Sequence, residues 1–118
     1  VTERFTRTLH VSEELVRAYS RRGNYHSDPA LSAGLNLPGL VAQGMQVAGP
    51  AYAALLDAWG EDFLAHGEID MRFVGVVLAG DTVEATVAAD DDGTATLEVV
   101  NTRAGRTAVA GTALRSSV

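Results

Sequence analysis

The chain has 118 residues, 47% of them hydrophobic and 20% charged, with a formal net charge of −6 and no cysteine. That size suits one domain with one core, and the composition is that of a folded protein rather than a disordered one. The acidic balance disfavours nucleic acid as a partner, and the lack of cysteine excludes a disulfide framework, a Cys-based zinc site and a thiol nucleophile.

All nine basic residues are Arg, so lysine Schiff-base chemistry is excluded too. No apolar run approaches the roughly 18–20 residues of a membrane span, and no signal-peptide pattern opens the chain. No membrane association and a cytoplasmic location are expected.

Val1 to His10 alternates Phe5 and Leu9 with charged and hydroxyl residues, which predicts a strand over 3–10. Ser12 then precedes Glu13, Glu14 and the spaced apolar residues Leu15, Ala18 and Tyr19. An N-cap, acids in the first turn and an i, i+3, i+4 repeat predict a helix over 12–22, closed by Gly23. Gly23 to Pro29 reads as a loop, and Asp28-Pro29 opens a short helix through Ala33. The loop sets Asn24, His26 and Asp28 at alternate positions, the most chemically loaded segment of the chain.

Leu35 to Trp59 begins as a loop and becomes a long Ala-rich helix ending at Gly60. Met45, Val47, Ala48, Tyr52, Ala54, Leu55 and Trp59 make it apolar on almost every face, which predicts a buried helix. Pro50 has no N–H to continue a helical ladder. Either the helix kinks there, or residues 44–49 form an irregular entry; both keep Gly44 near a helix N-terminus.

From Gly67 the pattern changes to strands. Residues 68–74 alternate and Val76, Val77 and Leu78 extend them. Turns at Ala79-Gly80-Asp81, at Asp90 to Gly93 and at Ala104-Gly105 separate strands over 82–87, 94–102 and 106–115. Short connections predict an antiparallel meander. The whole is an α+β fold, an antiparallel sheet of about five strands wrapped around a long central helix, in one domain over 1–118. A sheet covers one side of such a helix, so association with a further copy is expected to cover the other.

These residues carry a family likeness. Asn-Tyr-His-Ser-Asp at 24–28 and Ala-Gln-Gly-Met at 42–45 resemble the motifs of the MaoC-like hydratases and dehydratases of enoyl thioesters. Arg72-Phe73, residues 79–83, Val100-Asn101 and Gly111-Thr112-Ala113 resemble that family's later strands. The resemblance implies a hotdog fold, a dimer with a tunnel at its interface, and an acyl thioester of coenzyme A or of an acyl carrier protein as substrate. It implies His26 as the acid/base and the Gly44 N–H as donor to an enolate oxyanion. Asn24, Asp28, Gln43 and Met45 would line the substrate. Asn24 could instead form an Asx-turn, Asp28 a helix N-cap and Gln43 a structural hydrogen bond.

Several positions depart from the family pattern: Gly23 stands at the family's Asn position, and Asn24 lies two residues before His26 rather than three. Arg21 stands where the family has its catalytic Asp, and Gln43 replaces the usual His. These departures leave a thioesterase, a related biosynthetic addition or cyclisation, or a silent acyl-binding subunit of a heterodimer as alternatives to a hydratase working as a homodimer. His10 and His66 are scattered without metal-ligand spacing, and neither a metal nor a cofactor is expected. Tyr19, Tyr52 and Trp59 read as core, and Asp90 to Asp92 as a solvated turn.

Overall fold

The computed structural model describes residues 2–19 and 40–115. In chain order these form β1 (Glu3–His10), α1 (Glu13–Tyr19), α2 (Gly44–Trp59), α3 (Glu61–His66), β2 (Gly67–Phe73), β3 (Thr82–Ala89), β4 (Thr94–Asn101) and β5 (Arg106–Arg115). The five strands make one sheet in the order β1-β3-β4-β5-β2, antiparallel at every pairing.

Alternation explains which face is inward. Val83, Ala85 and Val87 on β3, and Ala95, Leu97 and Val99 on β4, are buried, while Glu84, Thr96 and Glu98 point out. The helix α2 lies across the inward face with Val47, Ala51, Ala54 and Leu55 in the same core. The small Ala side chains let it sit close to the sheet, and Leu55 fills the gap; burying a side chain of that size is worth about 1.5–3 kcal/mol. A two-pronged ion pair also joins sheet and helix, Arg7 Nε and Nη2 each lying 2.7 Å from an Asp57 oxygen.

Both ends of the central helix match their sequence signals. Gly60 adopts φ 63° and donates its N–H to the Leu56 carbonyl at 2.8 Å, a positive-φ stop that suits glycine. The helix runs from Gly44 through Pro50, so the irregular entry over 44–49 does not form. Ser12 caps α1 as expected, its Oγ accepting the Leu15 N–H at 3.1 Å. The expected end of that helix near Gly23, the loop and the short helix through Ala33 lie outside the described residues.

The sheet covers one side of α2, as expected: Val47, Ala48, Ala51, Ala54, Leu55 and Trp59 are buried, and Met45, Gly49 and Leu56 open on the opposite side. One five-stranded sheet can reach only one stripe of a helix. Two expectations need correction, the extension of β2 through Leu78 and the meander. Val76 to Leu78 do not extend β2. Val74 and Gly75 both donate to the Ala108 carbonyl, and the chain then leaves the sheet. Leu78 pairs with Val41, and the Ala42 N–H donates to Val77 at 2.8 Å. Strand chemistry is satisfied there by the approach to α2 rather than by the sheet.

The sheet is not a simple meander either. Only β3, β4 and β5 follow one another; the strap over 74–81 crosses the end of the sheet, leaving β2 on the outer edge of β5 and β1 on that of β3. Finally, residues 61–66 form the short helix α3, with Glu61 and Asp62 in its first turn and Phe63 buried beside Trp59.

Candidate functional site

The N-terminus of α2 is assembled from three directions. Gln43 is the N-cap, in extended conformation (φ −68°, ψ 146°), and its carbonyl accepts the N–H groups of Gln46 and Val47 at 3.0 and 3.1 Å. Its side chain makes no capping bond, and no acid occupies the first turn. Gly44 and Met45 therefore keep the free N–H groups that begin any helix, with no acceptor among the described residues. No acid in its first turn and no capping side chain offsets the positive end of the helix dipole among the described residues.

Phe73, the last residue of β2, closes one side. A Cβ placed on Gly44 would stand 2.9 Å from Phe73 Cε1, so the ring rests directly on the glycine backbone. From the other side α1 is tied in through Gln46, whose Nε2 donates to the Leu15 carbonyl at 2.9 Å. That carbonyl can only accept, which fixes the amide orientation. Gln46 Oε1 is buried with no partner among the described residues.

Beyond the strap lies a polar cluster. Asp81 and Asn101 are both buried, at 2% exposure, the only such polar side chains among the described residues. Asp81 Oδ2 accepts from Asn101 Nδ2 at 2.7 Å and from the Leu78 N–H at 3.0 Å. Asp81 Oδ1 accepts from Arg103 Nε. Burial pushes the Asp81 carboxyl up, but the Arg103 guanidinium, the Leu78 N–H and the Asn101 amide together outweigh it and hold the group below the usual carboxylate range. The cluster fastens the strap to the β4–β5 hairpin.

The structure thus brings Gln43, Gly44 and Met45 together at the helix entry, with Met45 half exposed. Asn24, His26 and Asp28 lie outside the described residues. His10 sits on β1, its Nδ1 3.0 Å from Thr82 Oγ1, and His66 ends α3. No three His, Asp or Glu side chains gather as metal ligands among the described residues, and no helix is long and apolar enough to cross a membrane. Sequence reasoning missed Phe73, Gln46 and the roles of Asp81, Asn101 and Arg103. An acid directly after a turn glycine and before a β-branched strand was the available signal for Asp81.

No curated protein matches this chain. Solved structures do. The (R)-hydratase of A. caviae involved in PHA biosynthesis is 23% identical, with a TM-score of 0.74 over 96% of this chain and 92% of that one. A MaoC-like dehydratase from Phytophthora capsici is 19% identical, with a TM-score of 0.81 over 96% of this chain and 40% of that one. The HadBC (3R)-hydroxyacyl-ACP dehydratase complex of Mycobacterium tuberculosis is 20% identical, with a TM-score of 0.69 over 96% of this chain and 94% of that one. At these identities the likeness establishes the architecture, a hotdog fold. The model of the MaoC-like domain matches residues 2–113, and the chain belongs to the MaoC-like domain family.

Proposed function

We propose that this protein is a hotdog-fold hydratase or dehydratase acting on an acyl thioester, with residues 1–118 as one MaoC-like domain. The observation that carries the reading is the entry to α2, where the Gly44 N–H has no acceptor among the described residues and no acid stands in the first turn. Such a donor stabilises charge that develops on an oxygen during reaction. In the hydration direction His26 takes a proton from water, and the oxygen bonds to the β-carbon of the enoyl thioester. The double-bond electrons move onto the thioester oxygen, which the Gly44 N–H holds as an enolate. The enolate collapses as the proton held by His26 passes to the α-carbon, which completes the addition and returns His26 to its starting form. Gln43 and Met45 border the acyl group, and Asn24 and Asp28 approach it from the loop.

Two observations support pairing with a second copy. The outer edge of β2 carries no strand among the described residues, and Met45 and Leu56 on the outer side of α2 are exposed. Antiparallel pairing of two β2 edges about a two-fold axis would set Arg72 opposite Glu68 or Asp70 of the other copy, a self-complementary arrangement. A heteromeric subunit is the second reading, favoured by Arg21 at the family's Asp position and by the similarity to a subunit of the HadBC complex.

Mass spectrometry of trans-2-enoyl-CoA substrates incubated with the purified protein and with His26→Ala tests this. Gain of one water by the wild type alone is expected. Release of free acid and coenzyme A would replace the reading with a thioesterase. No turnover by the isolated chain, restored by a partner, would replace it with the heteromeric subunit.

A further inference from the structure

We infer that the cleft between the 74–78 strap and the β4–β5 hairpin receives the phosphate end of a phosphopantetheine arm, with Arg106 as its phosphate contact. This rests on the thioester reading above and specifies how that substrate is held away from the reacting carbons. The cleft encloses about 450 Å³. Val74, Val76 and Leu78 form its apolar side, and Asn101, Arg103 and Arg106 its polar side. No carboxylate lines it among the described residues.

The two arginines differ. Arg103 is committed to the buried Asp81. Arg106 has no acidic partner among the described residues, so its charge is available. A hollow of similar size, about 420 Å³, lies on the outer face of the sheet, but Glu68, Asp70 and Asp90 line it and would repel a phosphate. In a chain of net charge −6, the strap cleft is thus the better suited of the two to an anionic phosphate group.

Position supports the same assignment. The strap that walls the cleft continues from Phe73, which rests on Gly44. Met45, Phe73, Val74 and Val76 are each half or more exposed, an unusual concentration of apolar surface leading from the helix entry to the cleft. An amide-bearing arm with an acyl thioester at one end and a phosphate at the other matches an apolar track with an arginine at its far end. The guanidinium fork offers paired donors to phosphate oxygens. Coenzyme A and the prosthetic group of an acyl carrier protein share this chemistry.

Isothermal titration calorimetry with 4′-phosphopantetheine and with pantetheine, on wild type, Arg106→Ala, Arg106→Lys and Arg4→Ala, tests the inference. Arg106→Ala is expected to weaken 4′-phosphopantetheine roughly tenfold, Arg106→Lys to recover part of that, and Arg4→Ala, on the far side of the sheet, to change nothing. Pantetheine should bind wild type and Arg106→Ala alike. Equal affinity of wild type and Arg106→Ala for the phosphorylated arm, an equal loss with pantetheine, or no binding by the wild type would each overturn it. Titrations with coenzyme A and with a holo acyl carrier protein then show which source depends on Arg106. Arg106-dependent binding without turnover of any enoyl thioester would sink the hydratase reading and leave this inference standing. Turnover that is indifferent to Arg106 would do the reverse.

Discussion

The ring of Phe73 lies against the backbone of Gly44, close enough that a methyl group at residue 44 would meet Cε1 at 2.9 Å. The end of an edge strand thereby sets where the central helix begins. Gly44→Ala should cost about 1–2 kcal/mol by overpacking, although alanine suits a helix better than glycine. In Gly44→Ala/Phe73→Leu the smaller side chain should relieve the contact. A double-mutant cycle by urea unfolding should then give a coupling of at least about 0.5 kcal/mol. Additive effects would mean that the ring moves aside freely.

Asp81 should make stability sensitive to acid. Its folded pKa lies below the ordinary value, so the carboxylate contributes stability at neutral pH. That contribution begins to fade below pH ~4 and is lost as pH falls through the lowered folded value. Asp81→Asn should unfold at lower urea than wild type at pH 7, and the gap should narrow on acidification. Asp81→Ala, which strands the Asn101 amide and the Leu78 N–H, should cost about 2–4 kcal/mol. A gap between wild type and Asp81→Asn that is constant with pH would show that the charge is immaterial.

The exposed edge of β2 offers a clean test of self-association. The Asp70 carbonyl points toward β5, since a Cβ on Gly111 would lie 2.1 Å from it. Along a strand the backbone groups alternate, so the N–H groups of Ile69 and Met71 face outward. Met71→Pro removes an outward donor without breaking the ladder to β5, where proline is tolerated. Light scattering should report a dimer for wild type and a folded monomer for the variant. An unchanged mass would place the interface elsewhere.

Pro50 lies within α2 and cannot donate to Gln46. Pro50→Ala should restore that bond. The propensity gain of about 3 kcal/mol exceeds what the buried ring contributes by packing, about 1–2 kcal/mol. Thermal unfolding should shift upward by about 3–5 °C. A downward shift would mean that the ring fills space an alanine cannot.

Local pattern was enough to read much of this molecule. β1 and β5 have the bounds that alternation predicts, and Gly44 opens the helix where the Gln43-Gly44-Met45 sequence suggests. What alternation cannot carry is partner choice. Val76, Val77 and Leu78 have the chemistry of a strand whether they pair with β5 or with Leu40 to Ala42, and only the path of the strap decides. The order of strands was misjudged for the same reason, because short connections suggest neighbours and the strap is a crossing. The site divides likewise. A helix entry is written in consecutive residues, whereas the contact of Phe73 with Gly44 and the union of Asp81, Asn101 and Arg103 join residues about 20–30 positions apart. Tertiary packing of the helix entry and the strap against the sheet brings them together, and no local signal announces it.

The proline in the central helix also partitions the molecule. With the rung from residue 50 to Gln46 missing, the first turns of α2 are not locked to the rest of the rod by an unbroken ladder. They are held sideways instead, by Leu15 on α1, by Phe73 on β2 and by the strap paired to the incoming chain. Amide hydrogen exchange should therefore divide at this point, with the amides of the first turns protected in step with α1 and the strap, and those after residue 50 in step with the sheet.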